Sequence, residues 1–370
     1  MRTNSTKSFH DLMAEVIEPG LCSNCSGCVS FCSAMGYGAL ETGPEGEPRF
    51  RNPALCIECG ICHLICPETG LMEADTRARL NSQAPMGAVR NLTFARAKAP
   101  EVTCMASHGG AVTALLLHLL DTKQIYGAIV NRREGIHRKP VLARSAKDLL
   151  LSAGHYPAVS NGPALLGELY QTLSVRECAG SLAQGWLHKV AFVGLPDQIL
   201  ALRNMETLGI IPSDAVALYV GLFCDEAYQL GITEQLRLEQ AGKFNWENIL
   251  RFTCAEELKI HLDDGRVVTP PERLRKKLSM KGCSACTDYS AELADISFGG
   301  LGAPNGWTTV VVRTERGQKA FQSACGTVLE EPSQSLRQRQ EAQRAIEGIS
   351  RRKRERAAGM RQEQVAVSGV

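Results

Sequence analysis

Three observations predict a mixed α/β (α+β) chain with a small metal-cluster domain in front. Two identical cysteine runs lie near the N-terminus, short apolar strands alternate with helices beyond residue 104, and no glycine-rich phosphate loop occurs anywhere. At 370 residues the chain can hold two domains and a sizeable buried core. The expected organisation is a cluster domain over 1–75, a linker over 76–103, a mixed-sheet domain over 104–330 and a charged helical or disordered tail over 331–370.

The front domain rests on its cysteines. Cys22, Cys25, Cys28 and Cys32 lie in CSNCSGCVSFC, and Cys56, Cys59, Cys62 and Cys66 in CIECGICHLICP. Both read C-x2-C-x2-C-x3-C, the run of bacterial-type two-cluster ferredoxins, in which the fourth cysteine of each run ligates the other cluster. The pattern assigns Cys22, Cys25, Cys28 and Cys66 to one 4Fe–4S cluster, and Cys56, Cys59, Cys62 and Cys32 to a second. Two-residue gaps let a tight loop present three thiolates around a cube, with Gly27 and Gly60 expected to supply backbone freedom. A short helix follows each third thiolate, and Pro67 ends the second motif. Ser33 stands where the first motif would usually have proline. Zinc also takes CxxC pairs, but eight cysteines in two identical runs favour clusters. His63, among the ligands, is expected at the surface or behind the thiolates.

Fifteen cysteines in a chain of this size point to metal rather than to a disulfide framework, because the N-terminus lacks the apolar stretch of an export signal. The net charge of +2 and 22% charged residues do not mark a nucleic-acid or membrane-surface protein. The longest apolar runs, such as Ala111 to Leu120, are half of the roughly 20 residues a membrane span needs. A cytoplasmic protein is expected, at most peripheral to a membrane complex.

Residues 76–103 are polar and proline-bearing and read as a linker. A helix is expected over Ala111–Leu120, a strand over Tyr126–Val130, and a buried strand over Lys189–Gly194 running into a helix near Gln198–Met205. Ala215–Cys224 reads as a strand, Leu258–Val268 as a hairpin turning at Asp263-Asp264-Gly265, Trp307–Arg313 as a strand and Gly317–Ser323 as a helix. The ends differ in charge: residues 1–70 carry 4 Lys/Arg against 8 Asp/Glu, and residues 333–370 carry 9 against 4. The RRKRER run (Arg351–Arg356) reads first as a solvated helix or disordered tail and second as a basic arm for an acidic partner.

A second constellation lies downstream. Cys283 and Cys286 form a CxxC in KGCSACTDYS, and Cys224 ends an apolar strand in GLFCDE, at the carboxyl edge where open α/β sheets place their sites. Together they suggest one more metal site. Cys104, Cys178, Cys254 and Cys325 have no motif and are expected in the core.

VGLPDQILALRN, YVGLFCDE and GCSACTDYSAELADISFGGLGAPNGWTTVVVRTERG resemble the coenzyme F420 hydrogenase/dehydrogenase beta-subunit family, up to about residue 326. The layout, with the ferredoxin module in front, is most similar to the electron-input subunits of the dehydrogenases of that coenzyme. The resemblance implies a catalytic domain that binds FAD without a Rossmann fold, beside a 4Fe–4S cluster. The family's cluster ligands match Asp197, Cys224, Cys283 and Cys286. The first is a departure, an aspartate in GLPDQ where the family has cysteine. It implies an oxygen ligand, a three-iron or altered site, or a lost cluster; a helix cap is the plain alternative role for Asp197. For FAD the resemblance points to Ser107, Gly109 and Gly110 with Thr113 at the start of the first helix, and to Gly154, His155 and Tyr156. His155 replaces a lysine or arginine and is expected at a phosphate or the flavin edge.

The function so implied is that of an oxidoreductase subunit. It would pass electrons between a small two-electron carrier (coenzyme F420 or NAD(P)H) at FAD and partner redox subunits, through 4Fe–4S clusters. A ferredoxin-dependent reductase of a small organic substrate, like the reductases of chlorophyll precursors, and a non-catalytic electron-transfer adaptor are the alternatives.

Overall fold

The structure, a computed structural model, describes residues 6–134, 137–178, 189–254 and 257–368, with the backbone alone described over 174–178 and 361–368. The chain begins with α1 (Phe9–Leu12), α2 (Gly27–Ala34), the hairpin β1 (Leu40–Thr42) and β2 (Pro48–Phe50), α3 (Ile61–Leu64) and α4 (Glu73–Arg79). Phe9, Leu12, Val16 and Val29 pack around Cys28, Cys32 and Cys62 to make a small core of their own.

Left-handed backbone in the two cysteine loops falls at equivalent positions: Asn24 and Ser26 in the first, Glu58 and Gly60 in the second. Gly60 (φ +76°) plays the part expected of it. Gly27 does not, because Ser26 takes the left-handed turn and Gly27 opens α2. Its reason is close approach: a Cβ there would lie 2.7 Å from the Ala201 Cβ of a helix in the second module.

That module continues with β3 (Asn91–Ala97), α5 (Pro100–Met105), α6 (Ala111–Asp121), β4 (Gly127–Glu134), β5 (His137–Ala143), α7 (Ala146–Leu151) and α8 (Gly162–Cys178). Next come β6 (Val190–Gly194), α9 (Pro196–Leu208) and β7 (Val216–Leu222). An inserted lobe follows, α10 (Ile232–Gly242), the antiparallel strands β8 (Ile249–Cys254), β9 (Leu258–Leu262) and β10 (Val267–Val268), and α11 (Glu272–Leu278). The chain then returns through β11 (Ile296–Gly299), β12 (Thr308–Val312), α12 (Glu315–Ala324), β13 (Leu329–Glu330) and α13 (Leu336–Ser368).

The main sheet has eight strands in the order β13-β3-β12-β11-β7-β6-β4-β5. Its centre, β11-β7-β6-β4, is parallel, and the flanking strands are antiparallel. Successive side chains alternate faces: Ala128 and Val130 join Leu115, Leu119 and Phe321 of α6 and α12, while Ile129 and Phe192 join Leu166, Ile199 and Leu202 of α8 and α9. The mixed, helix-covered sheet is the one expected, and the hairpin turns at Asp263–Gly265 as read.

Two expectations are corrected. Residues 76–103 are not a linker throughout, since Asn91–Ala97 is an internal strand pairing with β12 on one side and β13 on the other. Its four consecutive residues Leu92, Thr93, Phe94 and Ala95 are buried on both faces, so neither an alternation nor a long apolar run announced it. The tail is helical over Leu336–Ser368, one of the two states expected, but one face of that helix is buried rather than solvated. On α13, Ala342, Ile346, Ser350, Lys353 and Ala357 recur at helical spacing and are each at most 2% exposed. Only one of the five is a large hydrophobe, so the stripe does not read as apolar in sequence. Part of the basic run is also paired within this chain, Arg354 with Glu292 at 2.8 Å and Arg356 with Glu226 at 3.3 Å.

The cluster module seats on α9 through buried polar contacts. Asn204 Nδ2 donates to the Ile65 carbonyl (3.0 Å) and Thr76 Oγ1 donates to Asn204 Oδ1 (2.8 Å). Ile65 precedes Cys66, so α9 grips the chain beside a cysteine motif.

Candidate functional site

The parallel strands β4, β6, β7 and β11 all end on one edge, and there the structure has a cavity of about 390 Å³. Gly194, Phe223 and Gly299, at or just beyond the ends of β6, β7 and β11, form part of its wall together with Asn131 of β4. This is the edge where open α/β sheets place ligands. Ser107, Gly110 and Thr113 line the cavity where α6 begins, and Gly154, His155 and Tyr156 line it beside them. Gly110 caps α6 in a left-handed conformation (φ 73°), and the Ser107 hydroxyl accepts a 2.6 Å bond from the His155 N–H, tying the two segments together. Gly109 stands behind them, its N–H donating to Thr308 Oγ1 at 3.0 Å.

His155 has one face on the cavity and is otherwise enclosed. Burial pulls its pKa down to about 4, helped by His108 and Arg138, so it is neutral at pH 7. The fixed charge comes from Arg138, which sequence reading missed. Its guanidinium donates to the carbonyls of Asn131 (3.2 Å), Ser152 (3.0 Å) and Ala153 (2.7 Å) and has no carboxylate partner among the described residues. Burial brings it down only to about 10, so it stays charged. Nothing in the sequence marked it, since it lies on edge strand β5 without a motif.

The donor set of this wall suits a dinucleotide cofactor. It joins an uncompensated arginine, the N-terminus of an eleven-residue helix and an aromatic ring at Tyr156.

Cys224 lies two residues past β7 and lines the same cavity. Around it the structure gathers the other members of the second constellation. Cys286 Sγ lies 3.4 Å from Asp197 Oδ1, and the Ala227 N–H donates to Cys283 Sγ at 3.3 Å. Burial above all, with Asp197 adding to it, raises the pKa of Cys224, Cys283 and Cys286 alike. Asp197 is in the first turn of α9, where Gln198 Oε1 accepts from the Leu195 N–H at 3.1 Å. Three thiols and a carboxylate crowded together are a donor set that suits iron, whose charge would hold them ionised.

In the front module Cys25 feels Cys66 and Cys22, and Cys32 feels Cys56 and Cys59. Cys28 borders both groups, raised by burial and then by Cys25, Cys22, Cys62 and Cys66. Burial also lifts Cys22 to about 11 and Cys62 and Cys66 to about 12. Among the described residues no three His, Cys, Asp or Glu side chains converge on a single-ion point. Cys22 and Cys25 lie within electrostatic reach of Asp197, which puts that group next to the Cys224 site. Cys59, by contrast, is exposed, with Ile57 60% exposed beside it. His63 is buried behind the thiolates, its Nε2 2.9 Å from Glu15 Oε2.

Of the four cysteines expected in the core, Cys104 is exposed, Cys325 is half-buried and Cys254 is half-buried on the cavity wall. The Cys178 side chain lies outside the described residues. Cys104 sits at the end of a short helix whose sequence has no apolar stripe to bury it. No helix among the described residues is long and apolar enough to cross a membrane.

Three family descriptions match the chain: a 4Fe–4S dicluster domain over residues 14–81, and the N-terminal and C-terminal domains of the coenzyme F420 hydrogenase/dehydrogenase beta subunit over 92–167 and 187–333. The coenzyme F420 hydrogenase subunit beta of Methanococcus voltae is 30% identical over 63% of this chain and 80% of its own length. A subunit of the F(420)H(2) dehydrogenase of Methanosarcina mazei is 26% identical over 84% of each chain. The coenzyme F420-dependent sulfite reductase of Methanocaldococcus jannaschii is 27% identical over 82% of this chain, which spans only 46% of that longer protein. A chain of the F420-reducing [NiFe] hydrogenase complex of Methanosarcina barkeri has the same fold, with a TM-score of 0.66 at 24% identity, over 77% of this chain and 96% of that one. The cysteine module, the parallel-edge cavity and the Cys224–Cys283–Cys286 group thus stand in matched segments, and the chain belongs to the coenzyme F420 hydrogenase/dehydrogenase beta-subunit family, an oxidoreductase family, with a 4Fe–4S dicluster domain ahead of it.

Proposed function

We propose that this chain is an iron–sulfur flavoprotein subunit that passes electrons between a small two-electron carrier at the cavity and a partner redox subunit at the Cys59 face. The supporting observation is a line of donor groups. The cavity wall includes Cys224; Cys224 neighbours Cys283, Cys286 and Asp197; Asp197 neighbours Cys22 and Cys25; and Cys28 neighbours Cys62 of the exposed group. In this reading Cys22, Cys25, Cys28 and Cys66 hold one 4Fe–4S cluster, Cys32, Cys56, Cys59 and Cys62 a second, and Asp197, Cys224, Cys283 and Cys286 a third.

FAD is the cofactor proposed for the cavity, where it would supply the change between paired and single electrons that iron–sulfur clusters cannot make alone. Arg138 and the N-terminus of α6, from Ser107 to Thr113, would hold its pyrophosphate, and His155 and Tyr156 would flank it. Coenzyme F420 is the carrier proposed first, because the relatives' names carry it.

The test is anaerobic purification, release of flavin by denaturation, and a screen of reduced coenzyme F420, NADH and NADPH for bleaching of the bound flavin. About one FAD per chain and bleaching by one donor are expected. A chain without flavin after reconstitution, its iron intact, would be an electron-transfer adaptor instead.

A further inference from the structure

The C-terminal helix lies beyond the matched family segments, which end at residue 333, yet it reaches the third thiol group. Lys353 of α13 is 2% exposed. Its ammonium donates to the carbonyl oxygens of Cys224 and Asp288, each at 2.8 Å. Those two acceptors lie on the two separate loops that carry Cys224 and Cys286. No carboxylate lies within ion-pair distance of Lys353 among the described residues. A buried ammonium without a counterion is strongly disfavoured, so its compensation must come from charge nearby. The groups acting on it most strongly are Cys286, Cys224, Asp197 and Cys283, the four candidate ligands.

The rest of the helix face is built to keep it there. Arg356, three residues on and so on the same side, reaches Glu226 (3.3 Å) on the Cys224 loop and the Cys283 carbonyl (3.3 Å) on the other. Arg354 grips Glu292 with 2.8 Å contacts to both carboxylate oxygens. Ile349, one turn earlier, lines the cofactor cavity. One helix therefore clasps both cysteine loops and presents a single dehydrated cation at their junction.

We propose that Lys353 is the fixed countercharge of the third iron–sulfur site, a positioning residue that joins the two ligand loops and raises the site's reduction potential. The proposal rests on the reading of Asp197, Cys224, Cys283 and Cys286 as a cluster site. A permanent positive charge favours whichever redox state carries more negative charge, and that is the reduced one. Low local polarity makes the effect large and insensitive to salt.

The experiment uses the full chain, purified anaerobically, with iron analysis and electron-paramagnetic-resonance redox titration. Cys286→Ala first tests the underlying reading: it should remove about four of about twelve irons and one signal. If the native chain holds only about eight irons and Cys286→Ala changes nothing, the third site itself is refuted. Lys353→Gln keeps a donor for the carbonyls and removes the charge. It should retain the iron and shift the signal that Cys286→Ala abolishes to lower potential, and Lys353→Arg should restore it. Loss of those irons in Lys353→Gln but not in Lys353→Arg also supports a countercharge. An unshifted potential at full iron, or loss of the irons in both variants, overturns the proposal and leaves Lys353 a structural pin.

Discussion

Gly27→Ala should loosen the seat of the cluster module on α9. The added Cβ would stand 2.7 Å from the Ala201 Cβ and 3.8 Å from Met205 Cε. Carbons in ordinary contact are about 3.5–4.0 Å apart, so α2 and α9 would have to part by about 1 Å or the side chain at 201 give way. Overpacking by one methyl in a fitted interface costs about 1–3 kcal/mol. The strain acts at a sensitive place, because the residue after Gly27 is Cys28 and Asp197 opens the same α9. The assay is anaerobic guanidinium unfolding followed through the visible absorbance of the clusters. Gly27→Ala should lower the midpoint. Ala201→Gly alone should cost about 1 kcal/mol through the lost helix propensity. The double variant should recover most of the first loss, giving a coupling of about 1 kcal/mol or more with the opposite sign. Simple additivity of the two single effects would show that Ala201 is not what demands glycine, and the reasoning would fail.

The remaining predictions concern the two ends of the site. Asp197→Cys should keep the iron of the third site with an altered potential and spectrum, while Asp197→Ala should lose it; identical signals in both would return Asp197 to a helix-capping role. Arg138→Gln should weaken FAD by about tenfold or more, the worth of a charge-assisted bond of about 1.5–3 kcal/mol, and leave riboflavin binding unchanged in fluorescence titrations; equal losses for both ligands would place the arginine away from the phosphates. His155 has a folded pKa of about 4 against an ordinary value of 6.5, so the unfolded chain binds the extra proton between those values. Stability should therefore be complete above pH 6.5 and fall as the pH drops towards 4, by roughly 2–3 kcal/mol for this residue. The difference between wild type and His155→Gln across that range, read by thermal unfolding, should carry this slope, and a flat difference would mean that the ring is not dehydrated.

The sequence made the front module legible because its chemistry is local: eight thiolates within two short runs leave little freedom in how the chain folds around them. The parallel strands were legible too, since Lys189–Gly194 and Ala215–Cys224 are apolar enough to be buried on both faces. What escaped was non-local. Arg138 matters because Ser152 and Ala153 turn their carbonyls to it across the fold, and no pattern within five residues of it reports that. Lys353 sat inside a basic run that looks solvated, and its burial depends on carbonyls 65 and 129 residues away. Gly27 had a motif-based explanation ready to hand that turned out to belong to Ser26. The charge of His155 could not be read either, because enclosure by the cavity wall decides it and the residue type alone does not.

The cavity and the third thiol group cannot be treated as separate sites, because the same two strands end in both. β6 delivers Val193, Gly194 and Leu195 to the cavity and, two residues later, Asp197 to the thiols. β7 delivers Leu222 and Phe223 to the cavity and Cys224 to both. Whatever fills the cavity thus touches the strand ends that carry Asp197 and Cys224, and a shift of either strand end moves the cavity wall and the thiol group together. From Asp197 the rigid link is α9, whose Asn204 holds the Ile65 carbonyl beside Cys66. The arrangement puts sheet edge, helix and cysteine loop in series, with hydrogen bonds at each joint rather than a flexible tether. Exposure of the outermost group at Cys59, together with the bare apolar Ile57 and Leu55 next to it, then leaves one end of the series at the surface while the other ends on the cavity wall. Such a series suits the electron exchange proposed above between a small molecule and a partner subunit.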